Sequence, residues 1–453
     1  MTECNQTEFG FEAHFSRQVI GQFNGNLLTT EGGALLLRQA DRKIGLLRRV
    51  AACFTDHRQP ERVEHELDEM VAQRIYGLAL GYEDLNDHEE LRNDPLLGVL
   101  AGKREIEEPL AGKSTLNRLE LTPTGSPHTE RYHKIIYSTE AIDALLVDIF
   151  LEAHPNPPRQ IVLDLDATDT PLHGRQEGRF FHGYYNHYCY LPLYIFCQDH
   201  VLCARLRPSN QDASAGSVEE VVRIVRQIRR RWPRVQIILR ADSGFCREEL
   251  MAWCEKHRLD YVFGLARNAR LRRIIGRAMH EAKQEHRWTG QAARVFAEFF
   301  YRTRKSWSRR RRVVAKCEQI EGKENPRYVV TSLGADVWPA QKLYEQLYCA
   351  RGEMENRIKE QLSLFSDRLS TETMRSNQLR LYFSALAYVL IHALRRIGLR
   401  GTEWATAQVE TIRLKLLKIA AQVRVTARRI WIGYSGAYPW KDLFATAWAN
   451  LRC

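Results

Sequence analysis

The spacing of apolar residues changes at about residue 158. Within 60–81, Val63, Leu67, Met70, Val71, Ile75 and Leu78 recur at helical spacing and trace one stripe. Turn-rich breaks follow at Asn93-Asp94-Pro95 and from Leu121 to Pro127. A longer helix is predicted from Thr129 to His154, ended by Pro155 and Pro157-Pro158. Beyond those prolines short apolar runs bounded by turn residues predict strands at Ile161–Thr168, Tyr188–Cys197 and Val201–Arg207. Gln198-Asp199-His200 joins the last two as a hairpin turn. Then come an amphipathic helix Ser214–Trp232, a strand Val235–Arg240, a helix Arg247–His257 and a strand Tyr261–Ala266.

Three consecutive strands followed by crossover helices predict an α/β fold: a mixed sheet covered by helices, in the order of the ribonuclease-H-like fold. Further β-runs at Val295–Arg302, Arg312–Gln319 and Arg327–Leu333 predict a β-rich insertion. Helical pattern resumes at Tyr344 and continues to about Ile397. A helix Gln408–Ala420 and one alternating strand Val423–Ile432 follow. The expected organisation is a mainly helical N-terminal domain (1–158) and the first part of a catalytic domain (159–268). The β-rich insertion (269–338), the completion of the catalytic domain (339–397) and a small basic C-terminal region (398–453) come after.

Charge narrows the partner. The 453 residues carry 67 Lys and Arg against 55 Asp and Glu, a net +12, which suits a polyanion. The basic residues cluster. Arg309, Arg310, Arg311 and Arg312 follow Arg302, Arg304 and Lys305, with Trp307 among them, and are the first candidates for phosphate contact. Arg229 to Arg231 end a predicted helix, where cations suit the dipole anyway. The ten cysteines are scattered without a CxxC pair, as expected of reduced thiols in a cytoplasmic protein. The polar start, Met1 to Gly10, shows no signal peptide, and the apolar stretch Leu381–Leu394 is too short to span a bilayer. Ala111-Gly112-Lys113-Ser114-Thr115 imitates the end of a phosphate-binding loop, but Glu107 stands where that loop requires glycine.

Three carboxylates carry the chemistry. Asp166 ends the first predicted strand, and Asp164 shares its face by alternation, so either could serve. Asp242 follows the fourth strand in Arg-Ala-Asp-Ser-Gly-Phe; its alternative role is to cap the next helix. Glu355 lies on the predicted helix Tyr344–Gln361, where Tyr348, Arg351, Glu355 and Lys359 follow at intervals of three and four and share a face. An ion-pair ladder on a solvated helix is the alternative there, but Gly352 in mid-run is a poor choice for stability alone and would let DNA or another backbone approach. Two acids at strand ends plus one on a helix can hold two hard divalent cations, which perform in-line displacement at phosphate esters.

These residues resemble the DDE transposases of bacterial insertion sequences, in the branch with a Tyr-Arg-Glu-Lys signature. Leu163-Asp164-Leu165-Asp166-Ala167-Thr168 resembles the first-Asp strand. Ala241-Asp242-Ser243-Gly244 resembles the second-Asp motif, and Tyr348, Arg351, Glu355 and Asn356 resemble the signature helix. The family's lysine falls seven residues beyond the glutamate, where this chain has Leu362; Lys359 is the substitute on the same face. The resemblance implies that Asp166, Asp242 and Glu355 are catalytic and hold two Mg²⁺ ions, with Mn²⁺ able to replace them. It further implies DNA cleavage at element ends, then strand transfer, with Arg351, Lys359, Tyr348 and Asn356 on the DNA. The implied partners are double-stranded DNA (terminal inverted repeats and target) and a second copy in a synaptic homodimer. The N-terminal domain is expected to recognise the ends, and the protein to be cytoplasmic and nucleoid-associated, not membrane-bound. Two alternatives are a metal-dependent nuclease on the same fold and a non-catalytic DNA-binding derivative.

Overall fold

The computed structural model describes residues 8–23, 25, 27–121 and 132–452. The chain forms two compact units, one of residues 1–51, 56–119 and 390–453, the other of 52–55 and 120–389. The first therefore joins both ends of the sequence, where separate N- and C-terminal regions were expected. It is mainly helical, as in the buried Leu67–Leu80, which ends on Gly81 at φ 95°. It also holds β-structure that the periodicity did not indicate. Glu8–His14 pairs with Arg17–Gln22, and Leu27–Thr29 adds to a hairpin of Ala421–Thr426 and Arg429–Tyr434. The single alternating strand expected at Val423–Ile432 is that hairpin.

The second unit carries a nine-stranded sheet. Its main strands are β1 Gln160–Ala167, β2 Leu193–Cys197, β3 His200–Arg205, β4 Gln236–Ala241, β5 Asp260–Leu265, β6 Ala293–Tyr301, β7 Arg311–Ile320 and β8 Arg327–Thr331. They lie in the order β3-β2-β1-β4-β5-β8-β7-β6. β1, β2 and β3 are antiparallel neighbours, whereas β4 and β5 run parallel to β1. This is the predicted ribonuclease-H-like core. The residues expected to form a β-rich insertion open with two helices, Ala269–Ile274 and Gly276–Thr289, and then extend the same sheet through β6, β7 and β8.

Alternation assigns the faces. Ile161, Leu163 and Leu165 of β1, with Ile237, Leu239 and Ala241 of β4, enter one core. Helix α1 Thr139–Glu152 covers it with Val147 and Phe150, and α2 Ser217–Arg231 with Val221, Ile224, Val225 and Ile228 at helical spacing; α3 Glu248–Lys256 adds Leu250 and Met251. Helix α1 starts later than predicted, behind the cap Ser138, whose Oγ accepts from the Ala141 amide at 3.2 Å. The earlier part of that prediction, Thr129–Arg131, and Thr122–Pro127 of the predicted break lie outside the described residues, as does Met1–Thr7.

The opposite face receives Val162, Ile238, Val262, Leu343, Tyr344 and Leu347, and with them Asp164. The segment predicted as one helix is irregular. A π-turn at Leu343–Tyr348 and a 3-10 turn at Cys349–Arg351 precede α4 Gly352–Leu362; after a break at 363–373, Met374–Ala393 is helical again. Arg240 ties this segment to the sheet. It donates to Asp164 Oδ1 at 2.5 Å and Oδ2 at 2.7 Å, and to the Leu347 carbonyl at 2.6 Å. Among the described residues, no helix is long and apolar enough to cross a membrane.

Asp164→Ala strands a buried guanidinium and is expected to cost about 3–5 kcal/mol. Replacing both partners, as Asp164→Leu with Arg240→Met, should recover most of that loss in urea unfolding. A double variant no more stable than the single one would contradict this role.

Candidate active site

Asp166 is the last acid of β1, and β4 lies alongside in parallel register, with Arg240 opposite Asp164 and Ala241 opposite Leu165. The paired register ends there; Asp242 is the residue that follows β4, and its charge acts on the Asp166 carboxyl. Asp242 also caps the turn that follows, its Oδ1 accepting from the Gly244 amide at 2.8 Å. That cap engages one oxygen and leaves the other for a further partner, so the two roles weighed for Asp242 are compatible.

Arg351 connects the third acid. It donates to Asp166 Oδ2 at 3.1 Å and to Glu355 Oε1 at 2.6 Å. Burial pushes the Asp166 carboxyl up to about 6; Arg351 opposes that shift, while Asp242 and Glu355 add to it. Tyr348 is raised too, first by burial, with Arg351 opposing and Asp242 adding. The structure thus brings Asp166, Asp242, Glu355, Arg351 and Tyr348 to one place. Asn356 and Lys359 stand exposed on α4, as does Gly352, where an added Cβ would meet open space.

Gly264 on β5 makes the approach possible. A Cβ there would lie 2.7 Å from the Tyr348 hydroxyl and 2.8 Å from the Ser243 amide. Sequence reading did not single out Gly264 or the Arg240–Asp164 pair. A glycine inside a strand was the available signal for the first. For the second it was opposite charges two residues before each strand-end acid.

The donor set suits a hard divalent cation: it is all carboxylate oxygen, and at Asp166 burial, with Asp242 and Glu355 adding to it, disfavours the ionised form in the absence of a cation. As the side chains stand, no three acidic, His or Cys groups among the described residues are gathered closely enough to hold a metal ion. Arg351 stands between Asp166 and Glu355 instead.

The arginine cluster divides. Arg311 is buried and donates to Glu248 at 2.6 Å and to Glu255 at 2.7 Å. Arg312, also buried, donates to Glu298 and to the Leu333 and Trp338 carbonyls. Their charges are used inside the protein, which removes both from a solvent-facing contact surface. Arg309 and Arg310 are exposed, although Arg309 also reaches Glu255 at 3.1 Å.

The family model described as Transposase DDE domain group 1 matches residues 11–453. Among solved structures, a cryo-EM structure of a piggyBac transposase synaptic complex with hairpin DNA is similar at 10% identity and a TM-score of 0.42, covering 94% of this chain and 81% of that one. No curated protein sequence matches the chain.

The raised Asp166 carboxyl has a thermodynamic consequence. Its ordinary value is 3.8 and its folded value about 6, so folding binds the proton more tightly than the unfolded chain does. The associated stability is fully present below pH 3.8 and is lost as pH rises to about 6. In EDTA, Asp166→Asn should therefore be more stable than wild type above pH 6, by up to about 3 kcal/mol. The difference should close below pH 4. Calorimetry showing the variant less stable at pH 7 would contradict this.

Proposed function

The chain belongs to the group 1 DDE transposase family, and from that premise we propose that it moves an insertion sequence by cutting DNA at the element ends and joining the freed strands to a target. The observation that carries the reading is Arg351, which links Asp166 at the end of β1 to Glu355 on α4, with Asp242 just past the end of the adjacent parallel strand β4. Members of this family generally use divalent metal ions. Asp166 and Asp242 would hold the cations and Glu355 would complete the set; Mg²⁺, or Mn²⁺ in its place, would activate water and later a 3′-hydroxyl.

The chain's own groups have separable tasks in this reading. Arg351 would exchange its carboxylate partners for a DNA phosphate once cations neutralise the acids. The Tyr348 hydroxyl, held against Gly264, would position the strand. Exposed Lys359 and Asn356 would follow the DNA backbone beyond the acids. The functional partners would be duplex DNA carrying terminal inverted repeats, target DNA and a second copy of the chain bridging two ends. A bacterial cell's nucleoid-containing cytoplasm is the matching compartment.

Alanine at Asp166, Asp242 or Glu355 should lower Mg²⁺-dependent cleavage by about three orders of magnitude or more while leaving DNA affinity within about threefold. Wild-type-like cutting by Asp166→Ala would refute the ligand assignment. Cutting without strand transfer on paired ends would instead indicate a nuclease.

Neutralising Arg309 and Arg310 should reduce the salt dependence of DNA binding by about two in slope, roughly 0.9 per phosphate contact. Arg311→Leu should act on stability, costing about 3 kcal/mol by leaving Glu248 and Glu255 without their buried partner. An unchanged slope for Arg309→Ala/Arg310→Ala would reduce that pair to a solvated surface.

A further inference from the structure

The chain leaves β1 at Ala167 and rejoins the sheet only at Leu193. In that excursion, next to Asp166 in sequence, Phe180–His182 and His187–Tyr190 pair antiparallel, with Phe181 opposite Tyr188 and His182 opposite His187. Gly183-Tyr184-Tyr185-Asn186 forms the turn, closed by the Asn186 amide donating to the His182 carbonyl at 2.8 Å. The base of the hairpin is anchored. The Glu177 amide donates to the Glu372 carbonyl at 2.8 Å, the Met374 amide to Glu177 Oε2 at 2.8 Å, and Ser209 Oγ to the Phe180 carbonyl at 3.0 Å.

Cross-strand partners share a face, and wholly buried Cys189 marks the inner one. Phe181 and Tyr188 therefore face outward, edge to face at 5.5 Å and 53% and 43% exposed. The Arg179 guanidinium lies 3.7 Å over the Tyr188 ring. At the tip, Tyr184 is 86% exposed, and its ring centroid is 5.0 Å from that of Tyr185. Tyr185 faces the acids: burial and the nearby charges of Asp169 and Asp166 push its phenol up to about 12. The neighbouring Asp169 accepts from, or is capped by, His187 Nε2 at 2.7 Å, so its charge is partly met.

Exposed aromatic rings on an anchored hairpin contribute little to the core and mark a recognition surface. Arg179, stacked on Tyr188, gives that surface a cation of the sign a polyanion requires. Ring faces with interleaved cations are the combination that binds single strands, and a duplex hides its base faces, so only an unstacked base can use them. We propose that this hairpin, through Tyr184, Phe181 and Tyr188, is a stacking platform for unpaired bases of the DNA strand that enters beside Asp166. The inference rests on the reading of the carboxylates as a DNA-cutting centre, and it specifies the substrate form at that centre as locally unpaired.

The test uses the full chain in EDTA with a forked DNA carrying 2-aminopurine in its unpaired arm, against a blunt duplex of the same sequence. Wild type should quench the 2-aminopurine on binding. Tyr184→Ala/Tyr188→Ala should lose the quench and roughly tenfold or more of the affinity for the fork, with blunt-duplex affinity unchanged. Tyr184→Phe, which keeps the ring, should behave as wild type. If the double variant melts early, Tyr184→Ala alone decides, since that side chain is largely in solvent. Unchanged quenching, or equal losses on fork and blunt duplex, would overturn the platform. Quenching by a wild-type protein that cuts no DNA with Mg²⁺ would support the platform and sink the catalytic reading; cutting without quenching would do the reverse.

Discussion

Arg240 is held by both oxygens of Asp164 and by the Leu347 carbonyl, and it is buried, so its position has little freedom. Through it the first strand, the fourth strand and the irregular segment before α4 share one fixed point. A guanidinium suits this task because its planar fork can meet a carboxylate on one side and a carbonyl on the other. Asp166 and Asp242 lie two residues beyond Asp164 and Arg240. The buried ion pair thus fixes the two strands at the step before these acids, and holding the fold and, in the proposed function, binding cations fall on different carboxylates of the same strand face.

That division is visible in the cations each acid meets. Asp164 has a dedicated cation and contributes to holding the fold. Burial raises both carboxyls; at Asp166, pushed to about 6, the one nearby arginine is shared with Glu355, and Asp242 adds to the rise. A site short of positive charge is unfavourable for stability but receptive to cations. Gly264 serves the same end by geometry: without a Cβ, β5 admits the Tyr348 hydroxyl and the turn after Asp242 together.

Much of this was legible in the sequence because it depends on period and sequence-local punctuation. The order of the large sheet's strands and helices from Ile161 to Ala266 followed from apolar runs and turn residues, and strand ends located Asp166 and Asp242; the one strand expected at Tyr188–Cys197, however, divides into His187–Tyr190, paired with Phe180–His182, and Leu193–Cys197 in the large sheet. The irregular helix was not legible. Tyr344–Gln361 has helical spacing throughout, and the π-turn arises where Arg240, a hundred residues distant in sequence, takes the Leu347 carbonyl. Burial of Arg311 and Arg312 was equally hidden, since a run of arginines reads as a charged surface until Glu248, Glu255 and Glu298 are brought to it by folding. The joining of both chain ends in one unit depends on Leu27–Thr29 pairing with Ala421–Thr426, a contact no local pattern encodes.

The same contrast bears on how the reacting strand would be handled. Buried cations such as Arg240, Arg311 and Arg312 are committed to carboxylates and cannot be lent to a ligand without leaving an unpaired charge inside the protein. Arg351 differs, because its two partners are the acids that cations would neutralise. In the proposed function its release would follow cation binding, which would leave the guanidinium free for a phosphate. An unpaired strand also needs its bases supported, and charge alone does not do that. Flat rings on a rigid base do, and they stand on the excursion that begins one residue after Asp166.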